Sequence, residues 1–184
     1  MHPVVVTIHG GYLVGQVDRS VTALSTMRPQ LLQLTQHFSL DEFTKSDYAA
    51  RKQIDNAPDD PAITRALQRV ASNILEPVCA HFGTHCNVIS GYRSPELNTA
   101  ISGSLMSQHM SGQAVDFEIP GIANFDLAKW IEANLSFDQL ILEFHRHGEP
   151  GTGWVHCSYV GDMTNARSIL TSPDGKDFMD GLVA

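Results

Sequence analysis

The stretch Ser107-Gln108-His109-Met110-Ser111-Gly112-Gln113-Ala114-Val115-Asp116 decides how the chain is read. A histidine is followed by a turn-making glycine, and then by an aspartate inside an apolar strand. From Ala114 to Ile119 the residues alternate. Val115, Phe117 and Ile119 share one face, and Ala114, Asp116 and Glu118 the other. A carboxylate between Val115 and Phe117 calls for a partner, because burying it unpaired is costly. Downstream, Trp154-Val155-His156-Cys157-Ser158 places a second histidine mid-strand, on one face with Trp154 and Ser158. Cys157 then points the opposite way, as a packed thiol. Two histidines and an aspartate are the ligand count of a catalytic zinc site, which keeps a fourth position for water. They are also the facial triad of iron oxygenases. Those enzymes use a His-x-Asp spacing, which His109 and Asp116 do not have.

Working outward, the pattern before this stretch is helical. Asp60-Pro61 offers an N-cap and a proline at the first helical position. Ile63, Leu67, Val70, Ile74, Val78 and Phe82 then form one stripe, Pro77 should kink or split it, and Gly83 is its stop. Ser39 with Glu42 has capping-box form, and Ser46-Asp47 starts another short helix. The spacing of Leu31, Leu34 and Phe38 predicts a helix over 27–38, and Val4 to Ile8 reads as a short strand ended by Gly10-Gly11. Asn87 to Ile89 reads as a strand, Ser94-Pro95-Glu96 as a helix start, and Asn124 to Leu135 as an amphipathic helix. Phe137 to Phe144 and Trp154 to Val160 read as a hairpin joined by a loop rich in Gly and His. Helices in the N-terminal half and a small, mostly antiparallel sheet carrying the site in the C-terminal half predict an α+β fold. The expected division is an extension over 1–36, a catalytic domain over 37–160 and a tail over 161–184.

Composition narrows the functions. The 184 residues suit one domain with short extensions. Twelve Lys+Arg against 20 Asp+Glu, a formal net charge of -8, argue against a nucleic-acid partner, since phosphates need clustered cations. No apolar run is long enough for a membrane span. Three scattered cysteines, Cys79, Cys86 and Cys157, show neither a disulfide framework nor zinc-thiolate spacing. The first Lys or Arg is Arg19, and the apolar run breaks at His9-Gly10-Gly11. The expectation is therefore synthesis in a cytoplasm with reduced thiols and no export signal.

Taken together, Ser90-Gly91-Tyr92-Arg93-Ser94, the Ser107 to Asp116 string and Trp154-Val155-His156 resemble the zinc D-alanyl-D-alanine carboxypeptidase family. The likeness is to the phage-type branch of these murein peptidases. The wider family includes D-Ala-D-Ala dipeptidases, L-alanyl-D-glutamate endolysins and the Hedgehog signalling domain. Leu40-Asp41-Glu42-Phe43 and Leu75-Glu76-Pro77 also look like that branch, so the resemblance runs from His37 to Tyr159. It implies zinc held by His109, Asp116 and His156. It implies a substrate role for Arg93 near the scissile carbonyl and a pocket position for Ser107, while Trp154 itself reads as core or cleft wall on the face it shares with His156. The implied partner is a peptidoglycan stem peptide, and the implied place of action is the cell wall, in a phage, virion or bacterial setting. The Hedgehog relatives leave a second reading open, a wall-binding module with this fold and little catalysis.

The general base departs from the wider family. Many members carry a Glu three residues before the second histidine, where this chain has Gly153. The candidates are Glu143, in a string similar to the branch's Gln-Leu-Ile-x-Glu-Phe, and Glu149 in the loop. If Phe144 pairs with Gly153 across the hairpin, Glu143 faces Trp154 and lies diagonal to His156, about 7–8 Å away. A slip of one residue would turn Glu143 to the other face. His145 and His147 lie beside the site as possible cleft residues, and Glu118 shares a strand face with Asp116.

Overall fold

The computed structural model describes residues 7–8, 11–12 and 32–183. The chain divides into two compact units, Met1–Gln30 and Leu31–Ala184. In the first, β1 (Thr7–Ile8) and β2 (Gly11–Tyr12) form a short antiparallel pair, so the expected strand is seen at its last two residues. Val4 to Val6 lie outside the described residues.

In the second unit, helices come first. α1 (Leu40–Thr44) starts at Ser39, whose backbone N–H and hydroxyl both donate to the Glu42 carboxylate, at 2.7 Å each. α2 (Asp47–Lys52) is capped by the Ser46 hydroxyl. α3 (Pro61–Val70) starts at Asp60, whose carboxylate accepts from the Ala62 N–H at 2.7 Å. Caps of this kind contribute about 1 kcal/mol each. The helix then widens into a π-helical stretch, Ala71–Leu75, and continues as α4 (Glu76–Phe82). The kink expected at Pro77 is taken up this way. The wider turn removes the backbone bond that proline cannot make, and the apolar stripe stays in register with the core. Leu67, Val70, Ile74 and Val78 are fully buried.

The helix expected over 27–38 does not form in its described part. The backbone bends sharply instead, with the Leu34 and Thr35 N–H groups both donating to the Phe38 carbonyl. Leu34 and Phe38 are still buried, so tertiary packing satisfies the pattern that a helix would have satisfied.

The sheet follows. β3 (Asn87–Ser90), α5 (Pro95–Ala100), β4 (Ala114–Glu118), α6 (Asn124–Asn134), β5 (Gln139–Glu143), β6 (Trp154–Ser158), β7 (Ser168–Ser172) and β8 (Met179–Asp180) complete the unit. The six strands lie in the order β3-β4-β6-β5-β7-β8, antiparallel except for the parallel pair β5–β7. The fold is α+β, as read. Val115, Phe117, Leu140, Leu142, Val155 and Cys157 pack one sheet face into the core against the helices. The expected tail is a correction. Residues 168–172 pair along the whole of β5, and β8 pairs with β7, so the sheet extends well past residue 160.

Candidate metal centre

The face of β4 and β6 turned away from the core carries the site. Asp116 pairs with His156 across the two strands, so both side chains rise from one rung of the ladder. His109 reaches them from the turn between α5 and β4. That turn depends on Gly112, which has a φ of +69° and sits so close to α3 that a Cβ would lie 2.7 Å from the Ile63 carbonyl. The Nδ1–H of His109 donates to the Gly91 carbonyl at 2.6 Å. This fixes the ring and leaves the Nε2 lone pair facing inward. His109 Nε2 lies 3.3 Å from His156 Nδ1 and 3.2 Å from Asp116 Oδ1, and His156 Nδ1 is 2.8 Å from the same oxygen. All three residues are buried, and their ligand atoms are the one group among the described residues placed to hold a metal ion.

Electrostatics agree with the geometry. Burial pushes the His109 pKa down despite the Asp116 carboxylate beside it, which favours the neutral, ligating form of the ring. Burial alone would raise the Asp116 pKa. The two imidazoles override it and hold the carboxyl well below the usual range. Its second oxygen, Oδ2, accepts from Arg93 Nη2 at 2.5 Å, and Arg93 Nε donates to Ser90 Oγ at 2.9 Å.

The site opens into a cleft of about 910 Å³ that also takes in Arg93, Glu143, Trp154 and Phe178. The hairpin register is the one that faces Glu143 inward. Glu143 pairs with Trp154 and Ile141 with His156, which sets the Glu143 carboxylate diagonal to His156. Trp154 Nε1 donates to Glu143 Oε2 at 2.8 Å, leaving Oε1 to the cleft. Burial, reinforced by Asp116, raises the Glu143 pKa.

A Peptidase M15 family model matches residues 36–158. The chain belongs to the Peptidase M15 family. Membership makes it a metallopeptidase, with peptidoglycan as the substrate that the family implies. No curated protein matches the chain directly. Among the described residues, no helix is long and apolar enough to cross a membrane.

Other sequence-selected residues of this M15 chain sort by position. Ser107 and Trp154 line the cleft beside the triad. Glu149 does not. It is exposed in the hairpin loop, 3.9 Å from Arg146 Nη1. His145 and His147 are not among the residues that line the cleft. Phe144 adopts a left-handed φ of 54° just past β5. His145 stacks on Phe125 of α6 instead. Glu118 accepts from Asn87 Nδ2 at 2.9 Å, remote from the cleft. Gly153 explains the missing Glu-x-x-His spacing. Its φ is +71°, and a Cβ there would run into the Glu143 carbonyl, so no side chain fits where other members place a base.

Four residues contribute in ways the sequence reading did not assign. The Gly91 carbonyl orients His109, and Ser90 orients Arg93. Leu170 of β7 and Phe178, just before β8, form a wall of the cleft beyond the family-matched span. The run Ser168-Ile169-Leu170-Thr171 was the available signal for this arm, with its β-branched and apolar residues.

Proposed function

We propose that the chain is a zinc-dependent peptidase hydrolysing amide bonds of peptidoglycan stem peptides, with Glu143 as general base. One observation carries this reading. Three convergent ligand atoms and a buried carboxylate of raised pKa share one cleft. The donor set fits zinc. A tetrahedral ion with bonds of roughly 2.0–2.1 Å separates its ligand atoms by about 3.3 Å. The separations here are 3.3, 3.2 and 2.8 Å. His109 Nε2, Asp116 Oδ1 and His156 Nδ1 would hold the ion.

When bound, zinc would supply Lewis acidity and lower the pKa of a water ligand to about 7. Glu143 Oε1 accepts the proton of the attacking water and returns it to the leaving amine nitrogen. Trp154 holds the other carboxylate oxygen, so the base keeps one orientation during both transfers. Arg93 holds Asp116 in its ligating geometry and brings positive charge to the cleft wall, where the oxyanion develops. The scissile amide is of the D-Ala-D-Ala carboxypeptidase or L-Ala-D-Glu endopeptidase type, and the protein acts on the wall after synthesis in a cytoplasm.

The test is digestion of defined muropeptides followed by mass analysis, with and without a chelator. Release of amino groups at one amide, abolished by the chelator and restored by zinc, is expected. Stoichiometric zinc without any hydrolysis would favour the wall-binding module. Iron in elemental analysis would favour the oxygenase triad.

A further inference from the structure

Away from the cleft, α4 and β3 meet at a corner that holds two of the three cysteines. Cys79 lies on α4, and Cys86 immediately precedes β3. Their Sγ atoms are 2.9 Å apart. Two non-bonded sulfurs in ordinary contact lie about 3.6 Å apart, so the corner presses them together beyond simple packing. The backbone helps. The Cys86 N–H donates to Cys79 Sγ at 3.2 Å, which aims that sulfur at its neighbour. Gly83 ends α4 in a left-handed conformation, so the chain doubles back within the eight residues from Cys79 to Cys86. Cys86 is fully buried, while Cys79 is partly open to solvent. Cys157, the third thiol, is buried in the core among apolar side chains.

We propose that Cys79 and Cys86 are a thiol–disulfide exchange site, closed to an intramolecular disulfide by small-molecule disulfides of an oxidising compartment. The chemistry needs one oxidised glutathione or an equivalent disulfide. The Cys79 thiolate attacks one glutathione sulfur, the glutathione S–S bond breaks, and the first glutathione leaves as thiolate. Cys86 then loses its proton to that thiolate, and its sulfur attacks Cys79 Sγ. The mixed disulfide breaks and the second glutathione leaves, taking up the proton released when Cys79 ionised. Two cysteines lose two electrons and two protons, and one glutathione disulfide becomes two thiols. The order follows from the environments. The Cys86 thiol, hydrogen-bonded to Cys79, pulls the Cys79 pKa down to about 7. Cys86 is pushed up by that same bond and by burial, so it serves as the resolving thiol.

Neither sulfur touches the cleft, so the exchange chemistry is independent of the peptidase centre, and only the place where the bond closes rests on the proposed function. It bears on where the protein works. The thiols stay reduced in a cytoplasm, and the bond closes on reaching the compartment that holds murein. It would then tie the end of the long helix to the first strand of the sheet.

The test counts thiols in the denatured, full-length chain after equilibration in oxidised or reduced glutathione. Three titratable thiols are expected in reduced glutathione and one, Cys157, in oxidised, with an intact mass lower by two hydrogens. Reduction should lower Tm by about 5 °C. Cys86→Ser should trap Cys79 as a stable glutathione adduct. Three thiols persisting in oxidised glutathione, or a bridge that includes Cys157, would overturn the proposal. The wild-type count decides this even where a variant fails to fold.

Discussion

The floor of the cleft and its C-terminal wall are built in opposite ways. The floor is the rung Asp116–His156 with His109 above it. It lies within the family-matched span, is buried, and has a hydrogen-bonded neighbour at almost every polar atom. The wall is the β7–β8 arm, which lies beyond that span. It is joined to the sheet by parallel pairing with β5, and Phe178 is half exposed. A metal centre needs ligands fixed to a fraction of an ångström, and burial with bonded neighbours supplies that. A wall that meets varied substrates needs only surface and shape. The chemistry should therefore be sensitive to small changes on the floor, and the choice of substrate to changes on the arm.

The largest effect is expected at the floor. Asp116→Asn keeps the shape but removes the charge that two imidazoles and Arg93 surround. Zinc affinity should fall by more than ~100-fold and activity with it, read by metal titration and muropeptide release. Next, Glu143→Gln leaves the ligands intact. It should bind zinc as the wild type does and lose about 10²–10⁴-fold in turnover. Wild-type turnover in that variant would assign the base elsewhere.

A smaller effect concerns pH. Because the Glu143 pKa is raised, its base form is lost as pH falls through a value above the ordinary 4.5. The acid limb of kcat/KM should lie above that value. Trp154→Phe removes a bond that favours the carboxylate, so the limb should move to still higher pH. A limb moving downward would contradict the assignment. The smallest effect is expected on the arm. Phe178→Ala should raise KM several-fold, by about 1 kcal/mol of lost apolar contact, with kcat unchanged. A fall in kcat would show that the arm positions the reacting groups.

Much of this was legible from local rules. Asp60-Pro61, Ser39 with Glu42 and Gly83 mark helix ends by chemistry that acts within four residues, and the structure places the caps there. The triad was legible because an aspartate inside an apolar strand demands partners. The hairpin left two registers open for Glu143, and the pairing of Glu143 with Trp154 is the one that faces it inward. What escaped depends on distant contacts. β7 is held by parallel pairing with β5, some thirty residues earlier, and its short run Ser168-Ile169-Leu170-Thr171 carries strand propensity but no sign of that partner. The bend at 32–38 keeps Leu34 and Phe38 buried at a spacing that also suits a helix. His145 and His147 were set beside the cleft by proximity in sequence, and the stacking of His145 on Phe125 of α6 had no local signal.

The central claim is that His109, Asp116 and His156 hold a zinc ion that drives amide hydrolysis. It is tested most directly by titrating zinc into chelator-stripped protein while hydrolysis of a defined muropeptide is followed. Activity should be absent at the start, rise in proportion to added zinc and level off at one equivalent. Undiminished hydrolysis by the stripped protein would contradict it.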